Sequence, residues 1–385
     1  MSVQKSADLR FVAIRILLHD RVRFAITAGG VAVAIMLIFM QGGMYLGFMH
    51  NASCMIDRSD ADVWVVSKNS PNFDWSRPFP ERYLTKVRST PGVAQAKSLI
   101  FAWAFLRRPG GGTEQVELIG YHPSPEAGWG EPWNLVSGEP SDVQGGERMI
   151  VDESSLERLG VNGVGDRVEI MEREVKIVGL TRGIRSMTTA PFVFVSYQTA
   201  QKLASYLGER NTVFVLAKAE AGVTAEELKQ RLQERLPYVD VLTKNDYSRR
   251  TRRYWTIQTG MGFGFMAMTM LALGVGLAIV GQTIYAATME HLREYATLKA
   301  LGATDAELRV ILWTQAGVSA VLGFVVSLGA VWFGARWLDS MGLTIVLPPL
   351  MYPAVFALDV AMCLGASIIS VRKALALDPA MVFRA

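Results

Sequence analysis

Four long stretches with few or no charged side chains constrain this chain more than any other feature of its sequence. Residues 254–289 and 310–335 contain no Asp, Glu, Lys or Arg, and two further stretches are almost as apolar. A helix needs about 20 predominantly apolar residues to cross the hydrocarbon core of a bilayer. The sequence therefore predicts four transmembrane helices, which we place at residues 24–49, 257–289, 310–335 and 350–371.

The composition agrees with a membrane protein and excludes several other classes. Half of the 385 residues are hydrophobic, and the net charge of +4 comes with no basic pattern typical of nucleic-acid binding. Cys54 and Cys363 are far apart, and the second lies in an apolar stretch. The four histidines are scattered. The sequence thus predicts neither a disulfide framework nor a metal site.

Basic residues near the ends of the apolar stretches predict the orientation in the membrane. They cluster before the first stretch, in the loop 290–309 and in the tail 372–385. We therefore expect these segments to be cytoplasmic, with residues 1–23 containing an amphipathic interfacial helix. One run, RRTRR at 249–253, lies on the opposite side, but it ends a domain of about 200 residues, and long domains are translocated largely regardless of charge.

Residues 50–253 predict an extracytoplasmic α+β domain. Alternating stretches such as ADVWVVS (61–67) and VELIGY (116–121) indicate strands, and residues 167–180 read as a hairpin. Residues 211–243 read as strand, helix, strand, with Thr224 and Glu227 forming a capping box. No nucleophile turn, zinc-protease motif or Walker A pattern occurs in the chain, so we expect no enzymatic activity.

Several tryptophans of this domain lie in Pro- and Gly-rich loops, among them Trp75, Trp129 and Trp133. Two interpretations remain open: local packing of irregular segments, or contact with a partner protein or the membrane surface. The Tyr254–Trp255 pair before the second apolar stretch is typical of an interfacial anchor.

A short charged segment, EHLREYATLKALGAT (290–304), lies between the second and third apolar stretches. On a helix it places Glu290, Arg293 and Glu294 on one face, opposite an apolar face that Lys299 interrupts. Gly302 suits the end of this helix and Asp305 the N-cap of the next. The residues alone leave two interpretations open: a helix resting in the headgroup region, or a docking element for a soluble partner.

The same segment resembles the signature of the FtsX/MacB-type permeases of ABC transporters. The matching residues are Arg293, Tyr295–Ala296 and the run from Leu298 to Ala303. The order of one span, a large domain, three spans and a short tail is also similar to this family, as is the closing segment with Asp378–Pro379. DADVWVVS (60–67) and FPERYL (79–84) resemble the DevC-like branch.

The resemblance implies a dimeric permease of the bacterial inner membrane that works with a separate cytoplasmic ABC ATPase. ATP and magnesium would be bound by that partner, and this chain would bind no cofactor. The DevC-like branch further implies an adaptor (membrane-fusion) protein, an outer-membrane channel and export of a lipid-like or hydrophobic substrate. Residues 290–309 would then be a coupling-helix loop. The residues expected to contact the ATPase are Glu290, Leu292, Arg293, Glu294, Tyr295, Leu298, Lys299, Leu301 and Gly302.

Small residues four apart let membrane helices approach closely. Gly43 and Gly47 form such a pair in the first apolar stretch, and Gly260 and Gly264 form one in the second. They predict either packing between two copies in a homodimer or packing within one chain.

Asp359 is the one acid inside an apolar stretch. If the fourth helix begins at Leu350, Asp359 lies near mid-membrane and is a candidate intramembrane polar site, with Gln282 or Gln315 as possible partners. If the helix begins near Tyr352 or Ala354, the acid moves toward the outer interface and needs no special role.

Two alternative functions remain beside the exporter permease. An FtsX-like regulatory protein would use ATPase movement to control an extracytoplasmic enzyme. An intramembrane enzyme built on Asp359 would need a second catalytic group, and the sequence offers none in the spans.

Overall fold

The computed structural model describes residues 21–124, 128–290, 296–297, 299–300 and 302–375, together with 11, 13 and 15. The chain divides into two compact units, residues 1–47 with 263–385 and residues 48–262. Within the described residues, four helices are long and apolar enough to cross a membrane. They are α1 (Arg21–Arg58), α7 (Met261–Glu290), α8 (Asp305–Ser340) and α9 (Met351–Leu375).

The elements of the large domain follow in chain order. The strands are β1 (Val63–Ser67), β2 (Phe79–Pro80), β3 (Val93–Arg107), β4 (Thr113–Tyr121), β5 (Leu135–Ser137), β6 (Arg148–Asp152), β7 (Arg167–Ile170), β8 (Arg173–Thr181), β9 (Phe192–Ser196), β10 (Asn211–Thr212), β11 (Phe214–Ala219) and β12 (Val239–Thr243). The helices are α2 (Arg82–Arg88), α3 (Leu156–Leu159), α4 (Tyr197–Leu203), α5 (Ala225–Arg235) and α6 (Lys244–Arg253).

Ten of these strands form one sheet, in the order β12-β1-β11-β3-β4-β9-β6-β8-β5, with β7 paired to β3 and β8. The long strand β3 joins two halves of the sheet, because its first half pairs with β11 and its second half with β4. Strands β10 and β2 form a separate pair. The predicted α+β domain is confirmed, with helices packed against a mixed sheet.

The predicted strand–helix–strand unit at 211–243 is present as β11, α5 and β12, but β1 lies between the two strands and is antiparallel to both. The capping box at the start of α5 is confirmed, since Thr224 and Glu227 exchange hydrogen bonds. The hairpin of β7 and β8 is also confirmed. Its two turn residues, Met171 and Glu172, both have positive φ, as a tight hairpin turn requires.

Strand β1 is buried along its whole length because both faces of the sheet are covered. Val63 and Val65 pack in one hydrophobic core, where Leu228 and Leu232 of α5 also lie. Trp64 belongs to a second core on the opposite face. That second core is rich in aromatic side chains: Trp64, Phe73, Phe101, Tyr121, Trp129, Phe192, Phe194, Phe214 and Tyr247.

Two of the differences between the helices and the predicted spans have a clear structural cause. Helix α1 continues to Arg58, past the predicted end at residue 49, because Cys54, Met55 and Ile56 are buried in the aromatic-rich core of the large domain. Helix α7 begins at Met261 rather than at residue 257. Gly260 has a φ of +74°, which interrupts the helical backbone after the π-helical turn Tyr254–Gln258.

The unit formed by residues 1–47 and 263–385 has its own apolar core. Val31, Ile35 and Phe39 of α1 belong to it, together with Ala316 and Ala320 of α8 and residues of α9. Few side chains of α7 are buried, whereas large apolar ones such as Phe263 and Leu271 are exposed. In a membrane such a surface faces lipid or another helix.

Candidate functional site

The charged segment between α7 and α8 is helical where the structure describes it, at residues 296–297 and 299–300. Ala296 is buried, and Thr297 is exposed. The predicted contact residues Glu290, Lys299 and Gly302 are described. The others, Leu292, Arg293, Glu294, Tyr295, Leu298 and Leu301, lie outside the described residues.

The end of this segment is held by a specific set of contacts. Gly302 has a φ of +97° and its N–H donates to the carbonyl of Lys299 at 2.9 Å, as at a helix C-terminus. The prediction of Asp305 as the next N-cap was wrong. Thr304 is the N-cap and forms a capping box with Glu307, whereas Asp305 is the first helical residue. Asp305 instead pairs with Lys299 at 3.2 Å, across the turn.

The arginine run at 249–253 has acidic partners within the large domain. Arg249 pairs with Asp246 at 2.7 Å, and Arg250 pairs with Asp240 at 3.0 Å. Arg252 donates to Asp57, at the end of α1, at 2.6 Å. These arginines form part of the folded domain, which accounts for a basic run that departs from the charge rule for short loops.

Arg252 also donates to Ser53, at 2.8 Å. It thus joins the C-terminal end of α1 to α6, the helix that precedes the second membrane span. The two chain segments that connect the domain to the membrane are therefore tied to each other inside the domain.

Trp255, predicted as an interfacial anchor, makes a partly buried polar contact with the large domain. Its indole Nε1 donates to Oδ2 of Asp74 at 3.0 Å, and the same oxygen accepts a bond from Asn72 at 3.0 Å. Burial raises the pKa of Asp74 to about 6, although the bond from Trp255 opposes that shift. Trp255 is separated from α7 by only a few residues, so this carboxylate contacts the segment that leads into the second span.

A second buried acid, Glu117 of β4, lies near Asp74. Its carboxylate accepts bonds from Ser186, at 2.5 Å, and from Thr188. Burial, and to a lesser degree the charge of Asp74, raises the pKa of Glu117 to about 8. Its Oε2 has no hydrogen-bond partner among the residues that the structure describes. Both pKa values therefore lie closer to neutral pH than those of ordinary carboxyl groups, and no sequence motif indicates these two acids.

The two glycine pairs have different surroundings. A Cβ on Gly43 would lie 2.7 Å from Ile345, and one on Gly47 would overlap the carbonyl oxygen of Thr344. These glycines make room for the chain's own segment before α9, as the intramolecular interpretation expects. Gly260 precedes α7 rather than lying in it, and a Cβ on Gly264 would meet no atom within 4 Å.

Asp359 is fully buried in α9. Since the helix begins at Met351, the acid lies about 12 Å along it at ~1.5 Å per residue. Its Oδ1 accepts a bond from the thiol of Cys363 at 3.5 Å, and its Oδ2 has no partner in the described part of the chain. The partner is thus Cys363 rather than the expected Gln282 or Gln315.

The described residues hold no cluster of three or more metal-binding side chains.

Comparison with known families matches both units. The family model of the MacB-like periplasmic core domain matches residues 24–235, more than half of the chain, and that of the FtsX-like permease C-terminal domain matches residues 266–379. The chain belongs to the FtsX/MacB-type ABC transporter permeases. This confirms the resemblance inferred from residues 289–316.

Some relatives of the permease align with it over almost their whole length. An uncharacterized ABC transporter permease of Mycobacterium tuberculosis is 27% identical over 376 residues, covering 97% of this chain and 99% of the relative. One from Mycobacterium bovis is 25% identical over 367 residues, covering 94% and 95%. The periplasmic region of MacB from Actinobacillus actinomycetemcomitans is 11% identical with a TM-score of 0.37, covering 50% of this chain and 94% of that one.

The family fixes the location of the permease and its orientation. It is an inner-membrane protein whose large domain is periplasmic. Since α7 follows this domain and crosses the membrane, the segment between α7 and α8 is cytoplasmic, as the basic residues predicted. The chain's identity as an ABC transporter permease implies a partner ATPase.

Proposed function

We propose that this permease transmits the movement of a separate cytoplasmic ATPase to its periplasmic domain, and that residues 290–302 receive that movement. The proposal is based on the cytoplasmic segment between α7 and α8. It belongs to the family's permease domain, and its end is fixed by Gly302, the Lys299–Asp305 pair and the Thr304 capping box. A segment with such contacts moves together with the helix that follows it.

The route to the periplasm uses the covalent continuity of the long helices. Helix α1 runs for 38 residues, about 57 Å at ~1.5 Å per residue, and its last turns are buried in the periplasmic domain. The second connection enters through α6 and Trp255. Arg252 of α6 is bonded to the end of α1, so a displacement of either connection would be passed to the other. The substrate need not pass through the permease itself.

We further propose that two copies form the membrane core and that the exposed surface of α7 around Gly264 contributes to the contact. Gly264 has open space beside it within the chain, and its neighbours on α7 are largely exposed. An adaptor protein, an outer-membrane channel and a lipid-like or hydrophobic substrate complete the proposed exporter. This part of the proposal depends on the resemblance of residues 60–67 and 79–84 to the DevC-like branch.

Co-purification in mild detergent, followed by mass spectrometry of proteins and lipids, tests the proposed assembly. We expect an ABC ATPase subunit in every preparation, together with an adaptor protein. Failure to recover any ATPase would contradict the proposal. Recovery of an ATPase with a cell-wall hydrolase instead of an adaptor would favour the regulatory alternative.

The coupling role of the cytoplasmic segment can be tested by charge changes. Glu294→Lys and Leu298→Asp are each expected to abolish substrate-stimulated ATPase activity without preventing membrane insertion, because each changes one face of the helix that the sequence predicts there. ATPase rates of the reconstituted complex give the measurement. A matched control is Glu220→Lys, the same charge reversal at an exposed periplasmic site. Normal stimulation in both test variants would show that the docking assignment is wrong.

A further inference from the structure

A cleft of about 770 Å³ opens in the periplasmic domain between the segment that follows β1 and the middle of β3. Its volume is within the range of small-molecule sites, which is roughly 300–1,000 Å³. Among its lining residues are Lys68, Asp74, Trp75, Arg77, Trp103 and Tyr206. None of its lining residues belongs to one of the four membrane helices.

Aromatic rings form one wall of the cleft and are held in place. Trp75 and Trp103 lie with their ring centroids 5.9 Å apart, and Trp103 packs edge-on against Phe101. The hydroxyl of Tyr206 donates to the carbonyl of Trp103 at 2.9 Å. Trp75 is nevertheless 51% exposed and Tyr206 is 58% exposed. The protein thus presents large apolar faces to solvent on a fixed framework, which favours binding of an apolar body.

The accessible charge at the rim is positive. Lys68 and Arg77 line the cleft, and among the described residues neither has a carboxylate within ion-pair distance. Arg77 is exposed, whereas Lys68 donates to the carbonyl of Pro237 at 3.3 Å. The acid of the cleft, Asp74, is buried and accepts bonds from Asn72 and Trp255. A guanidinium beside exposed aromatic rings suits an anionic head group attached to an apolar body.

The hydroxyl groups of the cleft already have partners in the protein. Ser67 accepts a bond from the backbone N–H of Arg77 at 3.1 Å, and Ser70 and Ser76 are bonded to each other at 2.6 Å. They therefore offer little to a neutral ligand that binds through many hydroxyl groups. The cations of the rim also disfavour a cationic ligand.

We propose that this cleft binds an amphiphilic anion, with an apolar or aromatic body on Trp75, Trp103 and Tyr206 and a phosphate or carboxylate on Arg77. The proposal goes beyond the coupling of the permease to an ATPase, because it assigns a ligand site in the periplasmic domain. Asp74 lines this cleft and accepts a hydrogen bond from Trp255, so it connects the cleft to the segment that leads into the second span.

Binding to the full-length permease in phosphatidylcholine nanodiscs tests the site without any ATPase, so its result is independent of the coupling proposal. The probe is 1-naphthyl phosphate, followed by titration calorimetry. We expect saturable binding, at least tenfold tighter than that of inorganic phosphate, 1-naphthyl glucoside or 1-naphthylmethylamine. Competition by dihexanoyl phosphatidylglycerol would identify a lipid source, and lack of competition a soluble anion.

Single substitutions separate the two halves of the site. Trp75→Ala and Arg77→Gln are each expected to weaken binding of 1-naphthyl phosphate about tenfold, or ~1.4 kcal/mol. The matched controls are Tyr238→Ala, an exposed aromatic residue outside the cleft, and Arg82→Gln, an exposed arginine on α2. Thermal unfolding of each variant shows that the domain remains folded.

Three results would overturn the proposal. They are the absence of saturable binding to the folded wild-type protein, equal binding of the amine and the phosphate, and test variants that bind as tightly as the two controls.

Discussion

At the scale of single residues, the least expected feature is the pair of buried acids in the periplasmic domain. Glu117 lies in a strand, between two apolar residues. Asp74 lies in a loop for which the sequence predicts no regular structure. Both have pKa values raised mainly by burial. Their positions follow from the sheet and from the path of the loop, which residue patterns did not predict.

The raised pKa of Glu117 predicts a pH-dependent stability. The folded domain holds a proton up to about pH 8, whereas the unfolded chain releases it near the ordinary value of 4.5. The contribution of Glu117 to the free energy of unfolding is therefore fully present below pH 4.5 and is lost as the pH rises toward 8. The free energy of unfolding falls by at most about 1.4 kcal/mol per pH unit. For a domain of this size, that corresponds to a fall of roughly 3–6 °C in unfolding temperature per pH unit.

Glu117→Gln should remove this slope between pH 6 and 8, where Asp74 contributes little because its pKa is about 6. Thermal unfolding of the full-length protein, followed by tryptophan fluorescence, gives the measurement. Glu220→Gln, at an exposed site, should keep the wild-type slope. Asp74→Asn should move the slope to lower pH, since it removes the negative charge that raises the pKa of Glu117. An unchanged slope in Glu117→Gln would show that Glu117 does not cause the pH dependence.

At the scale of elements, pairs of glycines spaced four residues apart occur in two different environments. Gly43 and Gly47 of α1 receive the chain segment before α9, and the N–H of Val346 donates to the carbonyl of Gly43 at 3.1 Å. Gly264 of α7 has open space instead. The spacing of small residues predicts close approach but does not say which partner approaches.

Gly47→Ala should destabilise the permease by about 1–3 kcal/mol, because the added methyl group would overlap the backbone carbonyl of Thr344, which cannot move without repacking. The unfolding temperature of the purified protein measures this effect.

Gly264→Ala is the matched control for stability and should leave it unchanged. If the surface of α7 forms the proposed dimer contact, Gly264→Leu should lower the yield of cross-linked dimer. A Gly47→Ala variant as stable as Gly264→Ala would contradict the described packing.

The prediction of elements succeeded where local chemistry decides the outcome. The capping box of Thr224 and Glu227 and the hairpin of β7 and β8 follow from neighbouring residues, and both are present. The N-cap of α8 was assigned one residue late, because Thr304 and Asp305 are both good capping residues and only the backbone distinguishes them. The insertion of β1 between β11 and β12 depends on distant pairing, which no local pattern encodes.

At the scale of the whole molecule, hydropathy and charge were sufficient for the architecture. Four apolar stretches, one long polar insertion and the distribution of basic residues predicted the four membrane helices and the orientation. The arginine run at 249–253 was the one conflict, and its acidic partners Asp57, Asp240 and Asp246 account for it. The cleft around Trp75 and the buried acids could not be predicted, since their residues come together only in the folded domain.

The segment between α7 and α8 is the proposed docking site of the ATPase. A photo-cross-linking amino acid at Thr297, which is exposed, tests this contact directly. We expect a covalent adduct that contains an ABC ATPase subunit, and none when the same amino acid replaces Tyr238, which is exposed in the periplasmic domain. Absence of an ATPase adduct at Thr297, in membranes where the permease and the ATPase are both present, would contradict it.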